Sequence, residues 1–277
     1  MHPALLIAII ICAVLAVLFI GYLFLIMTGS RRGMEKYKNV KYAHRGLHGD
    51  GRAENSMSAF KAAVDAGFGV ELDVRLSKDG VLVVFHDDDL KRVCSDDRRV
   101  ADVCAKELSE MSLSGTADGV PTFEQVLKLV GGRVPLLVEI KENPGDGGVS
   151  EMTARMLSEY SGDYIVESFN PLSLKNARRG LKRVPMGILS MKFEREERRI
   201  IRLRNFALGG LLTNFLCRPN FIAYRNEDGR AFPVKLLGGL FGAVRIAWTV
   251  RSEQEEKAAY ARGFDTVIFE GYLPSNN

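Results

Sequence analysis

Short apolar runs alternate with helix-like stretches along the chain from residue 40 onward. Runs of this kind, bounded by turn residues, are typical of buried strands. Their alternation with helical stretches indicates repeated βα units and a parallel sheet. The predicted strands are 40–43, 69–72, 81–85, 134–140, 164–167, 186–189, 221–224, 245–249 and 266–269. The predicted helices are 56–66, 122–130, 151–160, 171–179 and 253–262.

The strand count fits a closed (β/α)8 TIM barrel with one extra hairpin. Lys78-Asp79-Gly80 predicts a tight turn between the second and third strands, which leaves about eight strands for the barrel wall. The helix at 56–66 has Asn55 as a plausible N-cap and Gly67 as its C-terminal glycine. The polar stretch 87–121 is long for a connection, so it predicts a short insertion or a pair of short helices.

The first 30 residues predict a transmembrane anchor. Residues 4–27 contain no charged side chain, and as a helix they would span about 36 Å, enough to cross a bilayer core. A cleaved signal peptide is the alternative, but the run is longer than a typical signal core and no Lys or Arg precedes it. The five cations that follow place the C-terminal side in the cytoplasm. They are Arg31, Arg32, Lys36, Lys38 and Lys41.

These features divide the chain into three parts: a transmembrane anchor at 1–30, a basic juxtamembrane linker at 31–39 and a barrel domain at 40–277. The expected location is therefore the cell membrane, as a single-pass protein with a cytoplasmic barrel. Two apolar, Gly-containing segments at 208–216 and 236–244 are interpreted as core helices, with a lipid-contacting surface as the alternative. The charged stretch 192–204 is interpreted as a solvated helix face.

Composition excludes several classes of function. The four cysteines form no Cys-x-x-Cys pair, so neither a disulfide framework nor a zinc site is expected. A net charge of +4 suits an anionic membrane surface or a phosphate-bearing ligand. No basic stripe is interleaved with aromatic residues, so no nucleic-acid partner is expected, and no obligate protein partner is inferred.

Three carboxylates predict a metal site. Glu71, Asp73 and Glu139 each lie near the C-terminal end of a predicted strand, where α/β barrels place their chemistry. Glu71 and Asp73 are two residues apart and so share one face of their strand. A hard divalent cation, Mg²⁺ or Ca²⁺, would neutralise them and could also bind a phosphate oxygen. The alternative is a set of salt bridges to Arg75 or Lys141.

Two histidines and two cations complete the candidate chemistry. His44 and His86 end different strands, so they could flank a phosphodiester from opposite sides as general acid and base. Arg45 and Lys141 could stabilise phosphoryl oxygens. His48 lies in a glycine-rich run and is interpreted as solvated.

The ordered motifs from residue 42 to about residue 271 resemble those of the glycerophosphodiester phosphodiesterase family. Nine motifs in the same order are far more specific than any one of them. They are His44-Arg45-Gly46, Glu54-Asn55-Ser56, Glu71-Leu72-Asp73-Val74, Lys78-Asp79-Gly80, Val84-Phe85-His86-Asp87, Pro121-Thr122-Phe123, Glu139-Ile140-Lys141, Ser168-Phe169-Asn170-Pro171 and Trp248-Thr249-Val250.

The resemblance implies a TIM barrel that uses a divalent cation to hydrolyse glycerophosphodiesters to glycerol 3-phosphate and an alcohol. It matches His44 and His86 to the acid/base pair, and Arg45 and Lys141 to the phosphate contacts. It also implies three further assignments. Glu71, Asp73 and Glu139 match the metal ligands, Glu54 and Asn55 lie in a motif close to the metal, and Trp248 offers its ring to the substrate or serves the core.

The chain departs from the family pattern at three places. Ala53 stands where a proline often precedes Glu-Asn, and 90–94 lacks the usual Arg-Thr-Thr. Phe269-Glu270-Gly271 replaces a Thr-Asp-containing strand end, so the last strand contributes either Glu270 or no side chain to the site. None of these changes removes a primary catalytic group.

The sequence therefore predicts a membrane-anchored, metal-dependent glycerophosphodiester phosphodiesterase. Two alternatives stay open. One is a lysophospholipase D, which would apply the same chemistry to lysophospholipids, and the other is a non-catalytic barrel that binds lipid headgroups.

Overall fold

The computed structural model describes residues 3–143, 145–194 and 196–275, which form nine strands, eleven α-helices and three short 3-10 helices. The strands are β1 Tyr42–Ala43, β2 Gly69–Leu76, β3 Leu82–Val84, β4 Leu136–Ile140, β5 Tyr164–Ser168, β6 Met186–Ser190, β7 Phe221–Arg225, β8 Val244–Val250 and β9 Thr266–Phe269. The α-helices are α1 Pro3–Ile26, α2 Met57–Asp65, α3 Lys91–Cys94, α4 Ala105–Glu110, α5 Phe123–Val130, α6 Val149–Ser158, α7 Pro171–Gly180, α8 Arg199–Gly209, α9 Asn214–Cys217, α10 Phe232–Phe241 and α11 Glu253–Ala261. The 3-10 helices are Glu35–Tyr37, Val100–Asp102 and Asn226–Asp228.

Eight parallel strands close into a barrel. They follow the order β1, β2, β4, β5, β6, β7, β8 and β9, and β1 pairs with both β2 and β9 to complete the ring. β3 is antiparallel to β2 and lies outside the ring. The TIM barrel and the hairpin at 78–80 are thus confirmed, and the C-terminal ends of the eight strands form one mouth.

β2 is longer than predicted because the hairpin extends it. Its last residues pair with β3, with Val74 opposite Val84 and Leu76 opposite Leu82. Glu71 and Asp73 therefore lie within the strand and not at its end. Both are buried, and they lie on the face of β2 opposite Leu72 and Val74, which pack with the helices, so they point into the barrel.

The insertion at 87–121 contains two short helices, α3 and α4, as predicted. It has a small hydrophobic cluster of its own, which includes Val93, Leu108 and Val120. This cluster fixes the insertion beside the mouth, so the side chains it carries can take part in the site.

The start of α2 differs from the prediction. Ser56, not Asn55, is the N-cap, because its hydroxyl accepts a hydrogen bond from the Ala59 N–H. Asn55 has a positive φ of 53° and directs its side chain to Asp73. An asparagine tolerates this left-handed conformation better than most residues, which frees its amide for the site.

The N-terminal helix α1 is long and apolar enough to cross a membrane, and its C-terminal end packs on the barrel. Ile26 is fully buried, and its carbonyl accepts a 2.7 Å hydrogen bond from the Asn214 side chain. The Gly29 N–H donates to the Pro219 carbonyl. Met34 and Tyr37 are buried in the lower barrel core, so the predicted linker contributes to that core. The division at residues 30 and 39 itself stays a prediction.

The two apolar Gly-containing segments are partly core and partly surface. Leu211 and Leu237 are fully buried, as the core interpretation predicts. Phe215 and Leu240, however, are 41% and 58% exposed. One face of each segment is therefore left uncovered.

Candidate active site

The three predicted metal ligands come together at the mouth. β2 and β4 are neighbours, and their register places Asp73 opposite Glu139, with Glu71 one position away on the same face of β2. One carboxylate oxygen from each of the three residues lies within 4.8 Å of the other two. All three residues are buried.

The electrostatics of this cluster reflect crowded, buried negative charge. Burial raises the pKa of Glu71 well above its usual range, and the charges of Asp73 and Glu139 raise it further. Burial also raises the pKa of Glu139, to about 7. Burial alone would raise the pKa of Asp73 too, but Lys141, His86 and Arg45 together lower it. The cluster thus holds more acid than its fixed cations neutralise.

This arrangement fits a divalent cation. Two oxygens on opposite sides of a Ca²⁺ ion at 2.3–2.6 Å are at most about 5.2 Å apart, so oxygens within 4.8 Å can share one ion. Carboxylate oxygens are the ligands that such hard cations prefer. The pKa of Glu71 is raised by burial first and then by the charges of Asp73 and Glu139, and a bound cation would offset that negative charge.

The turn after β1 builds one wall of the cluster. Arg45 and Gly46 both have a positive φ, 54° and 79°. A Cβ at Gly46 would lie 2.8 Å from the Ala59 backbone carbon, so this position requires glycine. The turn directs the Arg45 N–H to Glu71 Oε2 at 2.7 Å.

The two predicted phosphate contacts lie against the carboxylates. The Arg45 guanidinium donates to Glu54 at 2.7 Å and lies 3.5 Å from Asp73. Lys141 Nζ lies 2.8 Å from Glu139 and 3.2 Å from Asp73. Both cations therefore lie beside the carboxylate cluster.

His44 has a carboxylate partner on the last barrel strand. Its Nδ1 lies 2.7 Å from Glu270 Oε2. Hydrogen bonding to His44 lowers the pKa of Glu270 to about 2, so this carboxylate is ionised at neutral pH. Burial lowers the pKa of His44, which favours its neutral form. An ionised partner at Nδ1 favours the tautomer with its proton there, which leaves the Nε2 lone pair available.

His86 has an equivalent arrangement. Its Nδ1 lies 2.6 Å from Asp87 Oδ1, and Arg92 Nε donates to the other Asp87 oxygen at 2.6 Å. Burial alone would raise the pKa of Asp87, but hydrogen bonds from Arg92 and His86 lower it. Arg92 also binds Glu54 through two hydrogen bonds of 2.7 and 2.8 Å.

The two histidines have similar electrostatic surroundings. Burial lowers the pKa of both imidazoles, and the negative charge of Asp73 opposes this lowering in each case. A cleft of about 540 Å³ opens beside His86 and is also lined by Arg92, Lys141 and their neighbours. A phosphodiester held in this cleft would lie within reach of the cations.

Trp248 lies at the edge of the mouth and packs edge-on against Phe169, with ring centroids 5.5 Å apart. Phe169 in turn has the Lys141 ammonium over its face at 5.9 Å. Trp248 Nε1 is buried and finds no hydrogen-bond partner among the described residues. The pair forms an apolar wall beside the charged groups.

Two residues near the site were not predicted. Glu167, opposite Glu139 on β5, is a fourth buried carboxylate, and burial raises its pKa well above the usual range. It lies at the C-terminal end of a predicted strand, and this position is the sequence signal that indicates it. Arg92 joins Glu54 to Asp87 across the insertion, and no sequence pattern indicated this role.

Comparisons with known proteins agree with this geometry. Residues 44–270 match the model of the "Glycerophosphoryl diester phosphodiesterase family". A glycerophosphodiester phosphodiesterase from Caldanaerobacter subterraneus subsp. tengcongensis is 31% identical over 83% of this chain and 93% of its own. Human lysophospholipase D GDPD1 is 33% identical over 40% of this chain and 35% of its own.

A solved structure has a similar fold. An Oleispira antarctica phosphodiesterase, in complex with the product sn-glycerol-3-phosphate, superimposes with a TM-score of 0.69 at 22% identity. The match covers 84% of this chain and 94% of that one. Because the family match extends over residues 44–270, which is most of the chain, the chain belongs to the glycerophosphoryl diester phosphodiesterase family.

Proposed function

We propose that this protein is a membrane-anchored, divalent-cation-dependent phosphodiesterase that hydrolyses glycerophosphodiesters to glycerol 3-phosphate and an alcohol. The observations that carry the proposal are three converging carboxylates in the barrel and two histidines, each with a carboxylate at Nδ1. This donor set suits the binding of a phosphate through a cation and the transfer of protons on both sides of it.

In this proposal Glu71, Asp73 and Glu139 hold the cation, which when bound polarises a phosphoryl oxygen and offsets the charge of the phosphate. Asn55 fixes Asp73 through a 2.8 Å hydrogen bond. Glu54 holds the guanidinium of Arg45. Arg45 and Lys141 face the phosphate. The planar guanidinium of Arg45 and the compact ammonium of Lys141 stabilise its oxygens.

His44 and His86 exchange protons with the two reacting oxygens. One imidazole Nε2 accepts the proton of the attacking hydroxyl or water, and the other, protonated at Nε2, donates to the leaving alkoxide. Glu270 and Asp87 are positioning residues that hold Nδ1 and stabilise the imidazolium as it forms. Trp248 and Phe169 provide an apolar surface for the glycerol or the leaving group.

We expect glycerol 3-phosphate and the free alcohol to appear together when the full-length protein in detergent acts on soluble glycerophosphodiesters. An enzyme-coupled assay for glycerol 3-phosphate, run on a panel with choline, ethanolamine and glycerol as the alcohol, measures this. A His44→Ala, His86→Ala double variant is the background control. The absence of product from every diester, with added Mg²⁺ or Ca²⁺, would contradict the proposal.

A single-pass anchor with a cytoplasmic barrel is part of the proposal. It is supported by a 24-residue apolar helix followed by five cations within eleven positions. A reporter fused after Asn277 should behave as cytoplasmic, and protease added to intact cells should leave the barrel uncut. Cleavage from outside would reverse the orientation and leave the chemistry untouched.

Lysophospholipase D activity is a second candidate function. The observation that favours it is the anchor, which would keep the barrel at a surface where lysophospholipids reside. Release of choline from lysophosphatidylcholine, compared with release from glycerophosphocholine, separates the two candidates. A non-catalytic headgroup-binding barrel is disfavoured, because both histidines and all three carboxylates are present.

A further inference from the structure

Five large apolar side chains are exposed on one side of the mouth. They lie in the connections that follow the C-terminal ends of three consecutive strands, β5, β6 and β7, so they belong to the mouth side of the barrel. We call this set the apolar rim. It consists of Leu172 (52% exposed), Ile200 (83%), Leu203 (59%), Phe206 (68%) and Phe232 (62%).

Helix α8 contributes three of these residues. Ile200, Leu203 and Phe206 are three positions apart and so share one face of the helix, and α8 has no buried residue. Its C-terminal end is tied to the mouth, where the Leu208 and Gly209 carbonyls accept hydrogen bonds from Ser190 and Tyr224. Four arginines lie within or just before the helix, namely Arg198, Arg199, Arg202 and Arg204. Apolar and cationic groups together on one exposed helix are typical of helices that lie in a membrane interface.

The apolar rim is continuous with the membrane-spanning helix. Tyr22 of α1 stacks on Phe232, with ring centroids 6.2 Å apart, at the mouth end of α10. Farther along, Arg31 donates to the Gly242 carbonyl at the other end of α10. The chain therefore passes α10 from the mouth end toward the base. The part of α1 before Tyr22, about 28 Å long, leads away from the mouth end.

We propose that the apolar rim rests in the surface of an anionic phospholipid bilayer, so that the mouth of the barrel faces the membrane. The inference deepens the proposed function, since it rests on α1 being the membrane anchor. The rim places the mouth close to lipid headgroups, and it opens the site to diesters that keep an acyl chain, that is, to lysophospholipids. The arginines of α8 complement the negative charge of the lipid surface.

Two residues of α10 give a matched test of this orientation. Phe232 and Leu240 are similarly exposed, 62% and 58%, and lie about 12 Å apart on the same helix. Phe232 is at the mouth end and Leu240 is near the base. A mouth-first arrangement immerses only Phe232, whereas a base-first arrangement immerses only Leu240.

The experiment uses full-length protein in vesicles of phosphatidylcholine and phosphatidylglycerol that contain brominated acyl chains, which quench tryptophan in contact with lipid. Phe206→Trp, Phe232→Trp and Leu240→Trp are compared with the parent protein, whose single Trp248 sets the baseline. We expect bromolipid to quench the added fluorescence at positions 206 and 232 and to leave that at 240 unchanged. Stronger quenching at 240, or none at 206 and 232, would overturn the proposal, including the case in which a second protein copy covers the rim.

Turnover on the same vesicles separates this inference from the proposed function. Phe206→Asp and Phe232→Asp should lower kcat/KM for lysophosphatidylcholine in the bilayer by about tenfold, since a charge replaces an apolar contact with lipid. Leu240→Asp should leave it unchanged, and none of the three should alter turnover of soluble glycerophosphocholine. If the parent protein does not hydrolyse soluble glycerophosphocholine, that result contradicts the proposed function and not the orientation. Equal effects of the three variants on the bilayer substrate would speak against the orientation alone.

Discussion

Replacing His86 or His44 by alanine should lower kcat by at least about 100-fold, the lower end of general acid/base contributions, while KM changes much less. The expected asymmetry follows from geometry, because each imidazole is held at Nδ1 by a carboxylate and offers only Nε2 to the substrate. A group that only transfers protons contributes to the chemical step more than to substrate capture. Steady-state kinetics on a soluble glycerophosphodiester measure both constants.

His48→Ala is the matched control, because His48 lies close to His44 and Glu270 yet is assigned no step in the reaction. We expect it to keep kcat close to that of the parent. Thermal unfolding of all three variants checks that the barrel is intact. A near-normal kcat in both His44→Ala and His86→Ala would make these histidines structural and defeat the proposed chemistry.

Removal of divalent cations should abolish activity, and Mg²⁺ or Ca²⁺ should restore it. The reason is the excess of buried acid at Glu71, Asp73 and Glu139, which Arg45 and Lys141 only partly offset. Activity after dialysis against a chelator, followed by titration with each cation, measures the requirement. Asp73→Asn keeps the shape of the side chain but removes a charge, so it should lose activity that added cation cannot restore.

Cation binding should also depend on pH. Burial raises the pKa of Glu139 to about 7 in the absence of an ion, so near neutral pH a proton competes with the cation for this carboxylate. Affinity should therefore weaken as pH falls through about 7, and binding should release protons there. Calorimetry in two buffers of different ionisation enthalpy measures the release. Full activity in excess chelator would remove the metal from the proposal.

The barrel could be predicted from the sequence because its signals are local. Each strand is a short apolar run, and the order of these runs determines the parallel pairing that brings Asp73 opposite Glu139. The same local pattern placed His44 and His86 at the mouth. Glu270 could be named only as a candidate, since its contact with His44 joins the first and last barrel strands, 226 residues apart.

Other parts of the site depend on long side chains and tertiary contacts that leave no local pattern. The long, flexible side chain of Arg92 donates a hydrogen bond to Glu54, which is 38 residues away in the sequence. Asparagine is common both at helix N-termini and in left-handed turns, so the sequence alone does not separate these two roles for Asn55. The contact of Tyr22 with Phe232 joins α1 to α10, and the hydropathy of the sequence contains no indication that these two helices meet.

The short, hydrogen-bonded connection between α1 and the barrel has a consequence for how this protein would encounter substrate. Ile26, Gly29 and Ser30 all form hydrogen bonds with the loop and helix that precede β7. The proposed anchor is therefore connected rigidly to the barrel, without a flexible linker. A catalytic domain held this way cannot move away from the membrane surface or reorient relative to it. Its encounters with membrane-bound substrate would depend on lateral diffusion, and its rate on that substrate would follow the mole fraction in the leaflet instead of the bulk concentration.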